Sequence, residues 1–497
     1  MNRALRRLSL ACLAMFVLLM LNVNYLQVFR VNSLANASGN IRIFEQQFKN
    51  WRGQIIAAGS PGPQQVIAES KPVKGGTFQR YYPAGPLYAP VTGYDSIYAG
   101  TSPYGLTGIE QTENRLLAGT APSLAVYNLK GLFTGKPKQG ASVYLTISPK
   151  AQQAAYQALV AMGKPAAAVA INPSTGAILA LASYPTFNPN DLAIQNGPQF
   201  NINDRRYLHD PANPLLNRAI SATFPPGSTF KIVTSSTAFS TGKVADQNAT
   251  IPAPQFYRLP GSTRSLTNDG NAPCGNGNPQ IIYAFTLSCN TAFGKLGATV
   301  GGANLHTYAN RYGFNNPNLT IPLAVTPSNY PLLTDRAFTA LSAIGQYNDT
   351  VTPLQEAMLA ATVANHGTLM RPYLVAQVRA PDQEVVQTTQ PSVLQQVVTP
   401  QVASYVAAMM ESVTHSSYGT AYATAGPPAT TIDIAGKTGT AQNGVNNSNL
   451  DDAVFTCFAP ASNPQIAVGV IVQGGGFGAD AAAPIALKIL QAYLGQH

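Results

Sequence analysis

The chain has 497 residues, of which 45% are hydrophobic, and it contains 42 glycines and 38 prolines. This composition is typical of a globular protein of roughly three domains, and it excludes a disordered tail, a collagen and a multi-span membrane protein. Charged residues make up only 10% of the chain, and the formal net charge is +10. Because the basic residues are scattered, we expect no nucleic-acid groove; attraction to anionic lipid or wall polymer is the milder interpretation.

An apolar segment over residues 8–29 follows three arginines at the start of the chain. About 21 helical residues span roughly 31 Å, which is the thickness of one hydrocarbon core. The arginines predict that residues 1–30 form a cytoplasmic tail and a single transmembrane anchor, with the remaining chain outside the cell membrane. Ala35-Asn36-Ala37 has the form of a signal-peptidase site, so a cleaved signal peptide is the alternative. We favour the anchor because this site lies far beyond the apolar segment.

Two modules follow the anchor. Residues 35–150 are rich in Pro, Gly and Tyr, which favours a small β-containing domain. Residues 155–497 are predicted to form an α/β domain, with a mostly helical block at 228–374, a loop at 474–478 and a final helix at 484–494. Strands drawn from both ends of this region imply one sheet assembled across it. The five runs typical of its strands are 167–171, 177–182, 431–435, 454–458 and 466–472.

Four cysteines allow few disulfides. Cys12 lies in the apolar segment, so at most one bridge forms among the other three, and Cys274 with Cys289 is the pair nearest in sequence. Three buried free thiols, including Cys457, are the alternative. The spacings that zinc requires are absent, so no metal is predicted.

The first motif with possible chemistry is Ser228-Thr229-Phe230-Lys231. Two prolines and a glycine precede it, so Ser228 is predicted to start an apolar helix with Lys231 one turn along the same face. Ser228 could simply cap that helix, and Ser240 with Lys243 shows the same spacing by chance. The functional hypothesis is that Lys231, with its pKa lowered by burial and a second cation, accepts the proton of Ser228.

Two further motifs follow in the chain. Ser288-Cys289-Asn290 places a hydroxyl and an amide where both can face one cleft, although Ser38-Gly39-Asn40 has the same form by accident. Lys437-Thr438-Gly439 occurs once in the chain. Without a function, it would be the end of a strand with a solvent-exposed lysine. A strand edge with a lysine, hydroxyls and a glycine would also let a peptide carboxylate dock in extended form.

In this order the three motifs resemble the active-site signature of penicillin-binding proteins and serine β-lactamases. The front module resembles the pedestal of class B members, and its short length resembles that of actinobacterial penicillin-binding protein A. Cys289 departs from the residue more common in the second motif. The other segments that are similar to these families are Arg52-Gly53-Gln54-Ile55, Gly108-Ile109-Glu110, Asn217-Arg218-Ala219, Ala343-Ile344-Gly345-Gln346, Thr352-Pro353-Leu354-Gln355 and Thr440-Ala441-Gln442.

The resemblance implies a transpeptidase domain with a five-stranded antiparallel sheet flanked by helices, plus an all-helical subdomain. It also implies a peptidoglycan D,D-transpeptidase without a cofactor. Its nucleophile would attack the penultimate D-alanine of a stem peptide, an amine of a neighbouring stem would resolve the acyl-enzyme, and β-lactams would acylate the same serine.

The resemblance also implies a role for each motif residue. Ser228 is the expected nucleophile and Lys231 its base, while Ser288 relays a proton to the leaving amine with Lys437 nearby. Asn290 would hold the substrate amide. Three residues are expected to bind the substrate, with hydroxyls holding its carboxylate: Thr438, Gly439 and Thr440. The backbone N–H groups of Ser228 and Thr440 would form the oxyanion hole.

Several alternatives stay open at this point. A D,D-carboxypeptidase or β-lactamase-like hydrolase needs a base for water, and no Glu-x-x-x-Asn loop follows Ser288 to supply one. A β-lactam receptor or scaffold without turnover is a second alternative. A Ser-His-Asp hydrolase is disfavoured because no Gly-x-Ser-x-Gly motif is present.

The front module also predicts a partner. It lacks the Glu-Asp pair followed by Phe and His of the glycosyltransferase half of bifunctional relatives, so the chain is expected to cross-link glycan without polymerising it. A membrane glycosyltransferase of the SEDS class is the expected partner, contacted through Asn22 and Asn24 and the pedestal. Alternatively, both asparagines lie at the membrane surface.

Overall fold

The computed structural model describes residues 3–28, 30, 48–74, 76–98, 106–125, 127, 129, 138–442 and 449–495. The strands, in chain order, are β1 (Ile55–Ala57), β2 (Gln65–Val73), β3 (Thr77–Tyr81), β4 (Ser142–Leu145), β5 (Ala166–Ile171), β6 (Ile178–Tyr184), β7 (Phe256–Arg258), β8 (Ser265–Thr267), β9 (Thr368–Met370), β10 (Val375–Arg379), β11 (Val385–Thr388), β12 (Val393–Gln396), β13 (Ala435–Ala441), β14 (Asp452–Ala459) and β15 (Ile466–Val472).

Helices connect these strands. The α-helices are α1 (Arg3–Val28), α2 (Ala89–Thr92), α3 (Gly108–Thr112), α4 (Asn114–Leu117), α5 (Pro149–Met162), α6 (Gly197–Leu208), α7 (Arg218–Ser221), α8 (Lys231–Ser240), α9 (Ile281–Thr286), α10 (Asn290–Val300), α11 (Gly302–Arg311), α12 (Arg336–Ser342), α13 (Pro353–Ala364), α14 (Pro400–His415), α15 (Tyr422–Ala425) and α16 (Gly478–Leu494). Short 3-10 turns lie at Gly85–Tyr88, Pro122–Leu124, Pro189–Asp191, Gly227–Phe230 and Asp269–Asn271.

The predicted anchor segment forms one continuous helix, α1. Within it, Leu5–Gln27 is long and apolar enough to cross a membrane by length and composition, and it is the one such helix among the described residues. Its leucines, valines and methionines are exposed rather than packed on the rest of the protein. Apolar side chains without protein neighbours are what a lipid-facing helix presents. The Ala35-Asn36-Ala37 segment lies outside the described residues.

The front of the chain is built on a six-stranded sheet in the order β11-β10-β4-β1-β2-β3. Strand β4 pairs in parallel with β1 and antiparallel with β10. Residues 375–388 lie in the predicted second module, but β10 and β11 complete the sheet of the first. These strands are short and partly exposed, so they carry no pattern that identifies a distant pairing partner.

The predicted five-stranded antiparallel sheet is confirmed, in the order β13-β14-β15-β5-β6. Every residue of β5, β14 and β15 is buried, because helices cover both faces. Helices α5 and α16 pack on each other and on strands of the sheet, whereas α13 packs on β14, β15 and β5.

Two elements differ most from their predicted bounds. The strand expected at 431–435 starts at Ala435 instead, so Lys437, Thr438 and Gly439 lie inside β13, where pairing with β14 outweighs their polar character. The final helix starts at Gly478 rather than 484, because the buried residues Ala481, Ala482 and Ala483 extend its apolar face. The loop expected at 474–478 therefore ends in the first residue of that helix.

The mostly helical block stands beside the edge strand β13. Its central helix α8 is buried almost throughout and contacts α10, α11 and α14. Helix α14 in turn packs against β13. The three motifs therefore meet where this block lies against the edge of the five-stranded sheet.

Candidate active site

Ser228 lies in the 3-10 turn Gly227–Phe230, and α8 begins directly after that turn. The sequence predicted an α-helix from Ser228 onward, but the chain enters through Gly227, which has a left-handed φ of +55°, and the first turn is 3-10. A Cβ on Gly227 would stand 2.7 Å from the carbonyl oxygen of Thr440. The N–H of Gly227 donates to the carbonyl of Gly345 at 3.1 Å. These contacts fix Ser228 against the edge of β13.

Lys231 is completely buried, and its Nζ contacts the Oγ of Ser228 at 2.9 Å. It also lies 2.7 Å from the carbonyl oxygen of Ser288 and 2.8 Å from the Oδ1 of Asn290. Both of these oxygens can only accept hydrogen bonds. A neutral amine has two N–H donors for them and one lone pair left, which can face the hydroxyl of Ser228.

The two lysines of the site have pKa values below the ordinary value for lysine. Burial lowers the pKa of Lys231 well below its usual value, and the nearby charge of Lys437 lowers it further. Burial also lowers the pKa of Lys437, to about 7. Asp269 acts in the opposite direction on both. An amine whose pKa is lowered by burial can both accept and return a proton.

Ser288 joins the two lysines. It lies between α9 and α10 in the left-handed region, with a φ of +59°. Its Oγ accepts from the Nζ of Lys437 at 2.9 Å and lies 3.2 Å from the Nζ of Lys231. Lys437 also donates to the carbonyl of Thr438 at 3.0 Å. The hydroxyl of Ser288 is therefore placed to pass a proton between either amine and a bound group.

The loop before α9 holds the second motif in place. Cys274 and Cys289 form a disulfide across 15 residues, with a Cα–Cα distance of 6.0 Å. The Oδ1 of Asn268 accepts from the N–H of Thr291 at 3.0 Å. The Nδ2 of Asn290 donates to Asp269 at 3.4 Å. Sequence reasoning missed Asp269, because nothing in its polar loop marks it as a neighbour of the lysines.

The edge of β13 supplies the remaining predicted residues. The side chain of Gln346 donates to the carbonyl of Thr440 at 3.0 Å. In an antiparallel strand the N–H and C=O of one residue point to the same edge, so the N–H of Thr440 also faces away from β14. A Cβ on Gly439 would stand 2.8 Å from the carbonyl of Pro226. The hydroxyl of Thr438 bonds that of Thr420 at 2.7 Å, a partner that the sequence did not reveal.

The structure thus brings the predicted site residues of the three motifs together. Hydrogen bonds directly connect five of them: Ser228, Lys231, Ser288, Asn290 and Lys437. Thr438, Gly439 and Thr440 follow on the strand that carries Lys437. A hydroxyl beside a neutral amine, a second hydroxyl and an open strand edge are suited to acyl transfer through a serine ester.

The chain is similar to known proteins. The penicillin binding protein transpeptidase domain matches residues 166–491, and the penicillin binding protein A dimerisation domain matches residues 52–143. The peptidoglycan D,D-transpeptidase PbpA of Mycolicibacterium smegmatis is 39% identical over 513 residues, covering 99% of both chains. PbpA of Mycobacterium tuberculosis H37Rv is 38% identical over 507 residues, again covering 99% of both.

Solved structures agree with the sequence matches. The ceftriaxone acyl-enzyme complex of penicillin-binding protein A from M. tuberculosis has a TM-score of 0.84 and 37% identity, covering 90% of this chain and 99% of that chain. Its penicillin G acyl-enzyme complex has a TM-score of 0.83 and 38% identity. The family match, the near-complete coverage and the common fold agree with the resemblance found in the motifs. The chain therefore belongs to the penicillin-binding protein transpeptidase family.

Proposed function

We propose that this chain cross-links peptidoglycan as a D,D-transpeptidase, with Ser228 as the nucleophile that β-lactams also acylate. The observation that carries the proposal is the 2.9 Å contact between the Oγ of Ser228 and the buried Nζ of Lys231. Two findings support it. The similar proteins are named D,D-transpeptidases, and β-lactams form acyl-enzymes with the M. tuberculosis protein in its solved structures.

In the acylation step, the lone pair of Lys231 takes the hydroxyl proton of Ser228 while the Oγ bonds to the carbonyl carbon of the penultimate D-alanine. The developing oxyanion accepts hydrogen bonds from the N–H groups of Ser228 and Thr440. The C–N bond then breaks, and the leaving amine of the terminal D-alanine takes a proton from the hydroxyl of Ser288. Lys437 returns a proton to that hydroxyl over 2.9 Å.

In the transfer step, an amine of a neighbouring stem peptide attacks the ester and passes its proton to the Ser288–lysine network. The ester bond breaks, and the oxygen of Ser228 recovers its proton from Lys231. A β-lactam enters the same path, but its amide nitrogen stays tethered after the ring opens. The leaving group therefore does not make room for an acceptor amine, and the acyl-enzyme persists.

The edge of β13 is the proposed substrate-binding strand. An extended peptide can pair with it as an added strand, since β13 has a partner on one side only. The hydroxyls of Thr438 and Thr440 bind the substrate carboxylate, with the charge of Lys437 close by. Gly439 lets the backbones approach closely, and Asn290 holds the substrate amide.

The anchor has a proposed direction and partner. Arginines precede α1, so its N-terminus lies in the cytoplasm and the catalytic domain lies outside. Asn22 and Asn24 are exposed on the helix, and the amide of Asn24 also bonds the carbonyl of Met20 at 2.8 Å. These amides face a helix of a SEDS-class glycosyltransferase, which polymerises the glycan that this chain cross-links.

An exported variant without residues 1–30 tests the proposed partner. It should bind penicillin normally and fail to support wall synthesis. Full complementation by this variant would contradict the proposed contact with the partner.

A synthetic stem peptide with a D-Ala-D-Ala end, offered with an amine acceptor, tests the reaction. We expect release of D-alanine and a new amide to the acceptor, and we expect Ser228→Ala to lose both this activity and covalent penicillin labelling. Ser240→Ala, which changes the chance Ser-x-x-Lys, is the matched control and should keep both. Hydrolysis without transfer would identify a carboxypeptidase, and labelling without turnover would identify a β-lactam receptor.

A further inference from the structure

A carboxyl group lies beneath the turn that carries the nucleophile. Glu356, on α13, has no exposed surface. Its Oε1 lies 2.8 Å from the hydroxyl of Thr229, the residue after Ser228. Its Oε2 is buried and has no hydrogen-bond partner in the described part of the chain. The mechanism derived above uses no carboxyl group, so this one needs another explanation.

The two contacts of the Thr229 hydroxyl indicate the protonation state of Glu356. The Oγ1 of Thr229 lies 2.8 Å from Glu356 and also 2.8 Å from the carbonyl oxygen of Pro226. A hydroxyl has one hydrogen, and a backbone carbonyl can only accept. If Thr229 donates to Pro226, the second contact needs a hydrogen that comes from Glu356. A neutral carboxylic acid satisfies both contacts, whereas a carboxylate leaves one pair of oxygens without a hydrogen.

The surroundings of Glu356 agree with a neutral acid. The turn before α8 presents Thr229, β14 presents Thr456, whose hydroxyl donates to the backbone carbonyl of Glu356, and β15 presents Gly469. Burial, opposed only by the hydroxyl of Thr229, raises the pKa of Glu356 to about 8. An ionised carboxylate in this place would have no cation to compensate its desolvation.

The position of Thr229 connects Glu356 to the site. A Cβ on Gly439 would stand 3.2 Å from the methyl group of Thr229 and 2.8 Å from the carbonyl of Pro226. The turn is therefore packed between α13 on one side and β13 on the other. A change in the Glu356–Thr229 contact moves the backbone that carries Ser228 relative to the oxyanion-hole strand.

We propose that Glu356 is a positioning residue that acts as a neutral carboxylic acid: it donates to Thr229, fixes the turn of Ser228 against β13, and limits acylation when it loses its proton. This inference rests on the proposed role of Ser228 as the nucleophile. It assigns a function to a side chain that does not touch the substrate.

The main test is the rate of acylation by fluorescent penicillin from pH 6 to pH 10, in the wild type and in Glu356→Gln. The amide of glutamine can donate to Thr229 and cannot ionise. The two proteins should react similarly at pH 6. At pH 9, about a tenth of Glu356 keeps its proton if the pKa is about 8, so the wild type should fall about tenfold relative to the variant. Deprotonation of Lys437 affects both proteins alike.

Asp349→Asn is the matched control. Asp349 is a second buried carboxyl with a pKa raised to about 8, and it bonds Ser342 rather than the turn of Ser228. Because both acids bind a proton more tightly in the folded state, each removes stability as the pH rises from its unfolded pKa towards 8. Both variants should lessen that loss, measured as the pH dependence of Tm, but only Glu356→Gln should change the acylation ratio.

The outcomes separate the possibilities. A Glu356→Gln variant that keeps the wild-type ratio of acylation at pH 9 to pH 6 would overturn the positioning role, and an unchanged pH dependence of Tm would overturn the neutral acid. Mass spectrometry of the labelled variant must find the adduct on Ser228; an adduct elsewhere would reject the nucleophile instead. If Glu356→Gln does not fold, Thr229→Val tests the same contact. This variant should also lack the additional fall in the acylation rate that the wild type shows at pH 9.

Discussion

The protein buries two clusters of charged side chains and treats them in opposite ways. In the front module, Arg52 and Arg80 hold the two oxygens of Glu110 at 2.6 and 2.5 Å, and Arg52 also lies 3.3 Å from the carboxylate of Asp95. In the active site, Lys231 and Lys437 are buried as deeply, but the hydrogen-bond partners described above are neutral hydroxyl, amide and carbonyl groups. The first cluster matches its charges, and the second does not.

The difference separates a structural cluster from a reactive one. Burial pushes the pKa of Glu110 up, but Arg80 and Arg52 together outweigh it and hold that pKa below its ordinary value. The lysines receive too little compensation: burial lowers both of their pKa values and outweighs Asp269, which raises them. Matched charges stay charged and hold segments together, whereas an amine whose pKa is lowered by burial gives up its proton more readily and can act as a base.

The largest expected effect removes the base from the unmatched cluster. Arginine keeps the positive charge but is not deprotonated in proteins, so Lys231→Arg should slow penicillin acylation by about 10²–10⁴-fold. Stopped-flow measurement of the acylation rate checks this. Lys243→Arg, in the chance motif after Ser240, should react at the wild-type rate. A pH profile that shifts without loss of the maximal rate would contradict the assignment of Lys231.

Breaking the matched cluster should cost stability instead of activity. Glu110→Gln removes the acid that pairs with both Arg52 and Arg80 and leaves only Asp95, 3.3 Å from Arg52, beside the two arginines. Breaking a buried ion pair in this way typically costs about 3–5 kcal/mol of the free energy of unfolding. Urea unfolding measures this loss, and the folded fraction should still bind penicillin at a normal rate. Glu69→Gln, which removes the partly exposed pair with Lys71, should cost less than about 1 kcal/mol. Equal losses in the two variants would contradict the comparison.

A third change tests what holds the unmatched cluster in the absence of ion pairs. The Cys274–Cys289 bridge closes a loop of 15 residues, so replacing both cysteines by serine should cost roughly 3 kcal/mol in the free energy of unfolding. Acylation should also slow, because the bridge pins the loop that carries Asn290. Cys12→Ser, in the anchor, is the control. Peptide mapping without reductant that finds both thiols free would reject the bridge.

The smallest expected effect comes from removing the acidic side chain that acts on the two lysines. Asp269 is exposed, and it raises the pKa of both lysines. In Asp269→Asn both pKa values therefore fall, and both limbs of the acylation–pH profile should move towards acid. The shift should shrink with added salt because the charge is exposed to solvent. Asp246→Asn should leave the profile in place, and an alkaline shift in Asp269→Asn would contradict the sign.

The sequence predicted those parts of the fold whose signal is local. Strands β5 and β15 were found because continuous apolar runs indicate strands buried on both faces. The start of β13 was misplaced, since Lys437 and its neighbours are polar and only pairing with β14 makes them a strand. The place of β10 in the front sheet could not be predicted, because its partner β4 is more than 200 residues away.

The same division applies to the site. The spacing of Ser228 and Lys231 and the order of the three motifs were enough to predict which side chains meet. Asp269, Thr420 and Glu356 have no such spacing. Their roles depend on a loop, a turn and a helix that approach the motifs only after folding, so no pattern along the chain could reveal them.

The shared front sheet also imposes an order on biosynthesis. Val143 in β4 pairs with Val378 in β10, 235 residues further along the chain. At about 5–20 residues per second, the ribosome needs roughly 10 to 50 s to supply the second strand after the first. During that interval β4 presents an unpaired edge, which is a template for association with other chains. We therefore expect the nascent protein to need protection of its first module until residue 378 has been made.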